Sequence, residues 1–158
     1  MNRLASIIIL FSLAAATLAQ SVPVINFREF EPELKHNNDT LYMVNFWATW
    51  CMPCVEEMPD ILMFADEMRD KKFRLILVSL DNPDHLESRV YPFIAKFDIK
   101  ERVVLLDDPD ANSWIEKVHP DWMGSIPGTL FYSRDFRMFH GKTIDHQTLR
   151  KIVNPRLK

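Results

Sequence analysis

Two cysteines separated by two residues are the side chains of this chain best suited to chemistry. Cys51 and Cys54 are the only cysteines among 158 residues, and they directly follow the apolar, β-favouring run at residues 41–47. The apolar residues after them recur at intervals of three and four, which predicts a helix that begins at the pair. Cys51 then lies at a helix N-terminus, where unpaired N–H groups and the helix dipole stabilise a thiolate. Cys54 lies one turn further on and can close a disulfide with it.

This arrangement predicts thiol–disulfide exchange. Cys51, at the exposed tip of the helix, would attack a substrate disulfide, and Cys54 would resolve the mixed disulfide. The CxxC spacing is also that of a zinc half-site, but a structural zinc needs two further ligands. The five histidines form no HxxxH pattern, and the chain has no second CxxC. We therefore predict no metal and no cofactor other than the redox-active disulfide.

Composition excludes several other classes of function. The formal net charge is −3 and there is no long run of Lys or Arg, so the basic surface that nucleic acids require is absent. The three glycines, Gly124, Gly128 and Gly141, can form neither a GxGxxG turn nor a GxxxxGK[ST] phosphate loop. A length of 158 residues with 47% hydrophobic and 26% charged content indicates one globular domain.

The first nineteen residues have the pattern of a secretory signal peptide. Arg3 precedes the uncharged apolar stretch 4–18, and Thr17-Leu18-Ala19 forms a small-x-small cleavage site. The stretch is shorter than a membrane-spanning helix requires, so membrane attachment is expected only if the signal stays uncleaved as an anchor. We predict a signal at residues 1–19 and a domain at residues 20–158. Export to a bacterial periplasm or cell envelope would place the cysteines where disulfides persist.

Strand and helix signals alternate along the rest of the chain, which predicts an α/β domain with a mostly parallel sheet covered on both faces. The segment 22–33 is predicted to be an irregular arm or an edge strand. Pro59 should kink the first long helix, and Pro92 should interrupt the second. The predicted elements are strands at 41–47, 73–80 and 103–106, helices at 51–70, 86–97 and 111–118, a hairpin of 129–133 and 137–141, and a last helix that Asp145 or Thr143 opens.

Three motifs occur together in this chain, namely Phe46-Trp47-Ala48-Thr49-Trp50-Cys51-x-Pro53-Cys54, Pro59 five residues later, and Ile126-Pro127-Gly128-Thr129. In this combination they resemble the thioredoxin superfamily and, within it, the exported TlpA/ResA-like thiol-disulfide oxidoreductases. The resemblance spans residues 41–153, and it implies a thioredoxin fold. That fold has a central mixed, mostly parallel sheet flanked by helices, here with an inserted helix–strand element at 86–106 before the cis-proline loop.

The resemblance also implies how substrate binds. Pro127 would be a cis-proline that faces the cysteine pair, and Ile126 would supply backbone groups that pair with an extended substrate segment. Trp50, directly before Cys51, is expected to be an exposed contact for protein substrates, whereas Trp47 is expected to pack in the core beneath the site. Trp122 is expected either to border the same groove or to be a packed aromatic.

One position departs from thioredoxin itself. Asn45 stands where thioredoxin has a buried proton-accepting aspartate, and an amide cannot take a proton from Cys54 at neutral pH. Asparagine also occurs there in the exported subfamily. We expect Glu57, or its neighbour Glu56, to act as the base instead. The alternative is that both are first-turn acids that favour the helix dipole.

The resemblance suggests a monomer with a reductive role, such as keeping the haem-attachment cysteines of apo-cytochromes c reduced, with electrons from a membrane thiol donor. Its partners would be protein thiols and disulfides. Three alternatives remain open: a copper-binding metallochaperone, a redox-inert scaffold and a net disulfide oxidant. The copper sites of exported thioredoxin-like proteins usually show a wider CxxxC spacing.

Overall fold

The computed structural model describes residues 21–157, and the predicted signal peptide at residues 1–19 lies outside the described residues. None of the helices within this part of the chain has the length and apolar content needed to cross a membrane. Short 3-10 helices cover Glu31–Leu34, Pro83–His85, Ala111–Ser113 and Asn154–Arg156, and a π-helix covers Leu86–Val90. The strands and α-helices, in chain order, are β1 (Val24–Ile25), α1 (Phe27–Phe30), β2 (Leu41–Trp47), α2 (Met52–Glu67), β3 (Phe73–Ser79), α3 (Tyr91–Phe97), β4 (Arg102–Leu106), α4 (Ile115–Val118), β5 (Gly128–Ser133), β6 (Phe136–His140) and α5 (His146–Val153).

One six-stranded sheet organises the fold, with strand order β1-β4-β3-β2-β5-β6. Strands β1 to β4 run parallel to their neighbours, and β5 and β6 join the sheet antiparallel. All seven residues of β2 are buried because helices cover both faces of the sheet at its centre. The predicted mixed, mostly parallel sheet flanked by helices is confirmed. The helix and strand expected before the cis-proline loop are α3 and β4.

Two apolar layers hold α2 in place. Successive strand residues point to opposite faces of a sheet, so β2 and β3 contribute to both layers. Met43 and Leu77 pack with α2, α3 and α5 on one face. Val44 and Val78 pack with α1, α4 and Trp122 on the other face. Because α2 directly follows β2 and packs along the sheet, its N-terminus lies at the carboxyl edge of the parallel strands.

The segment before β2 takes the second of its two predicted forms. It forms the edge strand β1, which pairs with β4, and is followed by α1, a helix that the sequence did not predict. Asn26 caps α1 through a reciprocal arrangement, in which its side chain accepts from the Glu29 amide while the Glu29 carboxylate accepts from the Asn26 amide. This local capping box fixes the direction of the chain where apolar periodicity is too short to show a helix.

The prediction of a single helix at residues 111–118 is wrong. Asp110 makes no capping side-chain bond, and the segment divides into a 3-10 turn and the four-residue α4. Asp108 instead accepts a hydrogen bond from the backbone amide of Phe27, 3.1 Å away.

The two helical prolines have different surroundings. α2 continues as one helix through Pro59 to Glu67. Pro92 lies in the first turn of α3, directly after the π-helix, so the predicted interruption coincides with a change of helix type. Further along, β5 and β6 form the predicted hairpin. Asp145 caps α5 by accepting from the Thr148 amide, which settles the choice between Asp145 and Thr143.

Candidate active site

The two cysteines form a disulfide at the start of α2. Cys51 is the N-cap residue, with extended backbone angles, and Cys54 lies in the first turn, with their Cα atoms 5.3 Å apart. Cys51 is 6% exposed and Cys54 is fully buried. Cys51 is thus less exposed than predicted, because it packs within the same apolar layer as Cys54. It is still the cysteine of the pair that reaches the surface.

A tight turn connects the end of β2 to the cysteine pair. The Cys51 amide donates to the Ala48 carbonyl at 3.1 Å, which closes the turn of residues 48–51. The Trp50 side chain is 60% exposed beside Cys51, whereas Trp47 is fully buried and stacks on Phe93 at 4.5 Å between ring centroids. These placements agree with the expected positions of both tryptophans.

Glu57 is the buried carboxyl next to the pair. It is 2% exposed, one helical turn after Cys54, whereas Glu56 is exposed. Its Oε1 accepts from Asn45 Nδ2 at 2.9 Å and its Oε2 accepts from the Ile144 amide at 2.8 Å. Neither glutamate lies in the first turn of α2, so the alternative that both favour the helix dipole there is wrong.

The environment of Glu57 changes its acidity. Burial raises the pKa of this carboxyl from its ordinary value of 4.5 to about 7, and the hydrogen bonds from Ile144 and Asn45 offset part of the rise. A base for Cys54 needs a pKa near neutrality, and Glu57 has one because it is removed from solvent.

Asn45 connects Glu57 to the sheet. It is fully buried, and its Nδ2 also donates to Thr129 Oγ1 at 3.0 Å, so the amide links β2, α2 and β5. Its Oδ1 has no hydrogen-bond partner among residues 21–157. The orientation of an amide follows from its hydrogen-bond network. Rotation of the Asn45 amide would therefore let Oδ1 accept from Glu57 when that carboxyl is protonated.

A cleft of about 340 Å³ opens behind Glu57. It lies between α2, the end of β6 and the start of α5, and Glu57 forms part of its wall. Titratable side chains surround that opening, namely Glu56, Asp60, His140, Lys142 and Asp145. Neither cysteine is among the residues that line this cleft, so Glu57 borders it on a side that does not include the disulfide.

The Ile126–Pro127 peptide bond is cis, as the resemblance implied. Gly128 pairs with Phe46 at the start of β5, so continuing that register sets Pro127 opposite Trp47, close to the turn that carries Cys51. Pro127 is buried, and Ile126 is half-buried against both apolar layers.

Trp122 belongs to the core rather than to a surface groove. It is 2% exposed, its ring lies 4.5 Å from that of Phe46, and its Nε1 donates to the Ser125 carbonyl at 2.8 Å. Of the two expectations for this residue, the packed aromatic is confirmed.

The sequence matches the Redoxin family over residues 29–114, more than half of the chain. The chain belongs to the Redoxin family. It is similar to the thiol-disulfide oxidoreductase ResA of Oceanobacillus iheyensis, with 34% identity over 89 residues that cover 56% of this chain and 42% of the relative. ResA of Bacillus cereus is 28% identical over 116 residues, 73% of this chain and 61% of the relative. The matches thus span less than two thirds of these curated relatives.

The solved structures similar to this Redoxin-family chain have the thioredoxin fold. A thiol:disulfide interchange protein from Chlorobium tepidum, of the thioredoxin family, matches with a TM-score of 0.63 and 19% identity, over 80% of this chain and 83% of that protein. The chain is a TlpA/ResA-like member of the thioredoxin superfamily, as its motifs predicted.

Sequence reasoning missed two parts of this Redoxin site. The Ile144 amide, 87 positions from Glu57, binds its carboxylate, and Asp81, 32 positions from Thr49, binds the turn before Cys51. Asp81 directly follows the strand predicted at residues 73–80, and it is 2% exposed. Nothing in the local pattern around either residue signals a contact so distant in sequence.

Proposed function

We propose that this protein is an exported thiol-disulfide oxidoreductase that reduces disulfides in other proteins through Cys51 and Cys54. The arrangement at the start of α2 carries the proposal: the disulfide lies at the helix N-terminus, only Cys51 of the pair reaches the surface, and a buried carboxyl lies one turn beyond Cys54. The similarity to proteins named ResA, which are thiol-disulfide oxidoreductases, supports the same activity.

The exchange proceeds in two displacements. In the dithiol form, the Cys51 thiolate at the N-terminus of α2 attacks one sulfur of a substrate disulfide. The substrate S–S bond breaks, its other sulfur leaves and takes a proton, and a mixed disulfide joins Cys51 to the substrate. Cys54 then loses its proton and attacks the Cys51 sulfur, which closes the Cys51–Cys54 bond and releases the second substrate thiol. Two electrons pass from the pair to the substrate.

Glu57 supplies the base for the second displacement. Its raised pKa, about 7, leaves it partly ionised at neutral pH, so it can accept the Cys54 proton directly or through a water. A solvated carboxyl would be too weak a base for a thiol of ordinary acidity. The cleft behind Glu57 then lets that proton leave to solvent while the substrate covers Cys51.

Substrate binding uses the surface next to Cys51. The exposed Trp50 ring offers an apolar contact, and we assign Ile126 and Pro127 to the pairing of an extended substrate segment beside the disulfide. Main-chain pairing gives affinity without demanding one sequence, which suits a protein that acts on several partners.

The physiological role proposed is reductive and extracytoplasmic. A base that assists Cys54 speeds release of reduced substrate, and the signal-like pattern at residues 1–19 supports export to a bacterial envelope. Electrons would come from a membrane thiol donor, and the haem-attachment cysteines of apo-cytochromes c are one suitable substrate. The reaction needs no cofactor, metal or nucleic acid, and a single protomer contains all of the residues involved.

Trapping the intermediate tests this proposal. The Cys54→Ser variant should accumulate a mixed disulfide with a peptide disulfide, whereas Cys51→Ser should not, as resolved by mass analysis after alkylation. Equilibration of the parent protein with glutathione gives the direction: a potential near about −270 mV supports a reductant, and one near about −120 mV makes it an oxidant. Failure to form a reversible disulfide would overturn the proposal. Stoichiometric Cu(I) binding without exchange would then favour the metallochaperone.

A further inference from the structure

A buried carboxylate forms hydrogen bonds with the turn that carries Cys51. Asp81, two residues after β3, is 2% exposed. Its Oδ2 accepts from the Thr49 amide at 2.9 Å and from Ser79 Oγ at 2.8 Å, and its Oδ1 accepts from Thr49 Oγ1 at 2.5 Å. No Lys, Arg or His within residues 21–157 forms an ion pair with it. Three donors thus offset the cost of burying this charge.

These contacts fix the turn at its second residue. The turn runs from Ala48 to Cys51, and Asp81 holds both polar groups of Thr49, its backbone amide and its hydroxyl. A separate backbone bond, from the Leu80 amide to the Trp47 carbonyl at 2.8 Å, ties the start of the turn to the end of β3. Cys51 follows Thr49 by two residues, so the hydrogen bonds to Thr49 fix the position of Cys51 at the end of the turn.

We propose that Asp81 is a positioning residue that stabilises the Cys51–Cys54 disulfide relative to the dithiol and so makes the pair a stronger reductant. The inference rests on the proposed function and deepens it. First, a fixed turn keeps the two sulfurs close in the dithiol form, which raises their effective concentration for closing the bond. Second, a buried carboxylate without a cationic partner disfavours a second negative charge, the Cys51 thiolate of the dithiol form. Both effects favour the disulfide.

A purely structural role predicts a different result. If Asp81 served only to complete the end of β3 through Ser79, its loss would lower the stability of the oxidised and the reduced protein alike. The equilibrium between the two redox forms would then stay where it is. A measurement of the reduction potential therefore distinguishes a residue that positions Cys51 from one that only stabilises the fold.

Glutathione equilibrium measures this difference directly. The protein dithiol and one oxidised glutathione give the protein disulfide and two reduced glutathiones, so the glutathione S–S bond breaks as the Cys51–Cys54 bond forms. The two electrons and the two thiol protons pass to glutathione. Asp81→Asn removes the charge, and Thr49→Val removes the hydroxyl donor while keeping the shape and the backbone amide. Thr49→Ser restores the hydroxyl, and Asp84→Asn removes the charge of an exposed carboxylate in the same loop.

The equilibrium constant for disulfide formation should fall about tenfold in Asp81→Asn, a potential about 30 mV less negative. Thr49→Val should lower it about threefold, because hydrogen bonds to a charged group are among the stronger ones. Thr49→Ser and Asp84→Asn should stay within about twofold of the parent protein.

The inference is overturned if folded Asp81→Asn and Thr49→Val both keep the parent constant within about twofold. Should Asp81→Asn fail to fold by circular dichroism, the comparison of Thr49→Val with Thr49→Ser decides by the same criterion. If the parent protein forms no reversible disulfide, the proposed function falls and the inference falls with it, whereas a parent that cycles normally isolates the role of Asp81.

Discussion

Replacing Glu57 by Gln should change how the stability of the protein depends on pH. Burial raises the pKa of Glu57 from 4.5 to about 7, so the folded protein holds a proton that the unfolded chain releases between those values. The folded state then binds more protons than the unfolded state in this window, and the free energy of unfolding falls as pH rises. The contribution is fully present below pH 4.5 and is lost as pH rises through about 7.

The size of this effect follows from the same difference in pKa. At about 1.36 kcal/mol per pKa unit, the rise from 4.5 to about 7 corresponds to about 3 kcal/mol of unfolding free energy. This is a large fraction of the 5–15 kcal/mol that typically stabilises a domain, so it is measurable. A glutamine carries no charge at any pH, so the variant should lack this fall and gain about 3 kcal/mol relative to the parent between pH 4 and pH 8.

The structure gives glutamine a way to fit. One oxygen can keep the hydrogen bond from the Ile144 amide, which leaves the new amide group facing Asn45 Nδ2. Asn45 can rotate its side chain so that Oδ1, which has no partner among residues 21–157, accepts from the substituted residue. Thr129 can then donate its hydroxyl instead of accepting. No buried donor then faces another donor, but Asn45 Nδ2 moves to the position where Oδ1 has no partner, an unfavourable contribution that is the same at every pH and leaves the slope of the profile unchanged.

The assay is urea unfolding of the oxidised parent, Glu57→Gln and a Glu56→Gln control at pH values from 4 to 8. Other carboxyl groups contribute equally to all three proteins, so the difference between them isolates the substituted position. Glu56 is exposed, and its replacement should leave the parent profile unchanged. A Glu57→Gln profile parallel to that of the parent within about 0.5 kcal/mol across the range would refute the argument that burial raises the pKa of Glu57.

Further predictions test the neighbours of the site. Asn45→Ala removes a hydrogen bond that lowers the pKa of Glu57, so the midpoint of the pH–rate profile for substrate reduction should move to higher pH. Trp50→Ala should raise KM for a peptide disulfide several-fold while leaving the unfolding midpoint in urea unchanged, since the side chain is 60% exposed. Asp145→Ala removes the cap that accepts from the Thr148 amide, and should move the unfolding midpoint to a lower urea concentration.

The sequence predicted those parts of the fold that depend on local patterns. A continuous apolar run predicts the strand at residues 41–47, and the helical periodicity that follows predicts the next helix. Together these two elements place Cys51 at the helix N-terminus. The hairpin of β5 and β6 follows from its short polar turn, and the start of α5 follows from Asp145 as a capping residue. Each of these signals lies within about ten residues of the feature it predicts.

The choice between Glu56 and Glu57 could not be made from the sequence. Adjacent residues on a helix point about 100° apart, so the two glutamates face different surroundings, and only tertiary packing decides which of them is buried. The deciding partners are Asn45 on β2 and the amide of Ile144, 87 positions away, and they pack against the face of α2 that carries Glu57.

The two buried carboxylates beside the disulfide are held in different ways, and the difference matches their proposed tasks. Asp81 accepts three hydrogen bonds within the turn and from Ser79, which hold its charge in place, as a positioning group requires. Glu57 accepts two and forms part of the wall of a cleft, where burial favours its neutral form and solvent can exchange its proton. The dithiol therefore has one carboxylate suited to fixing its geometry and another suited to moving its proton.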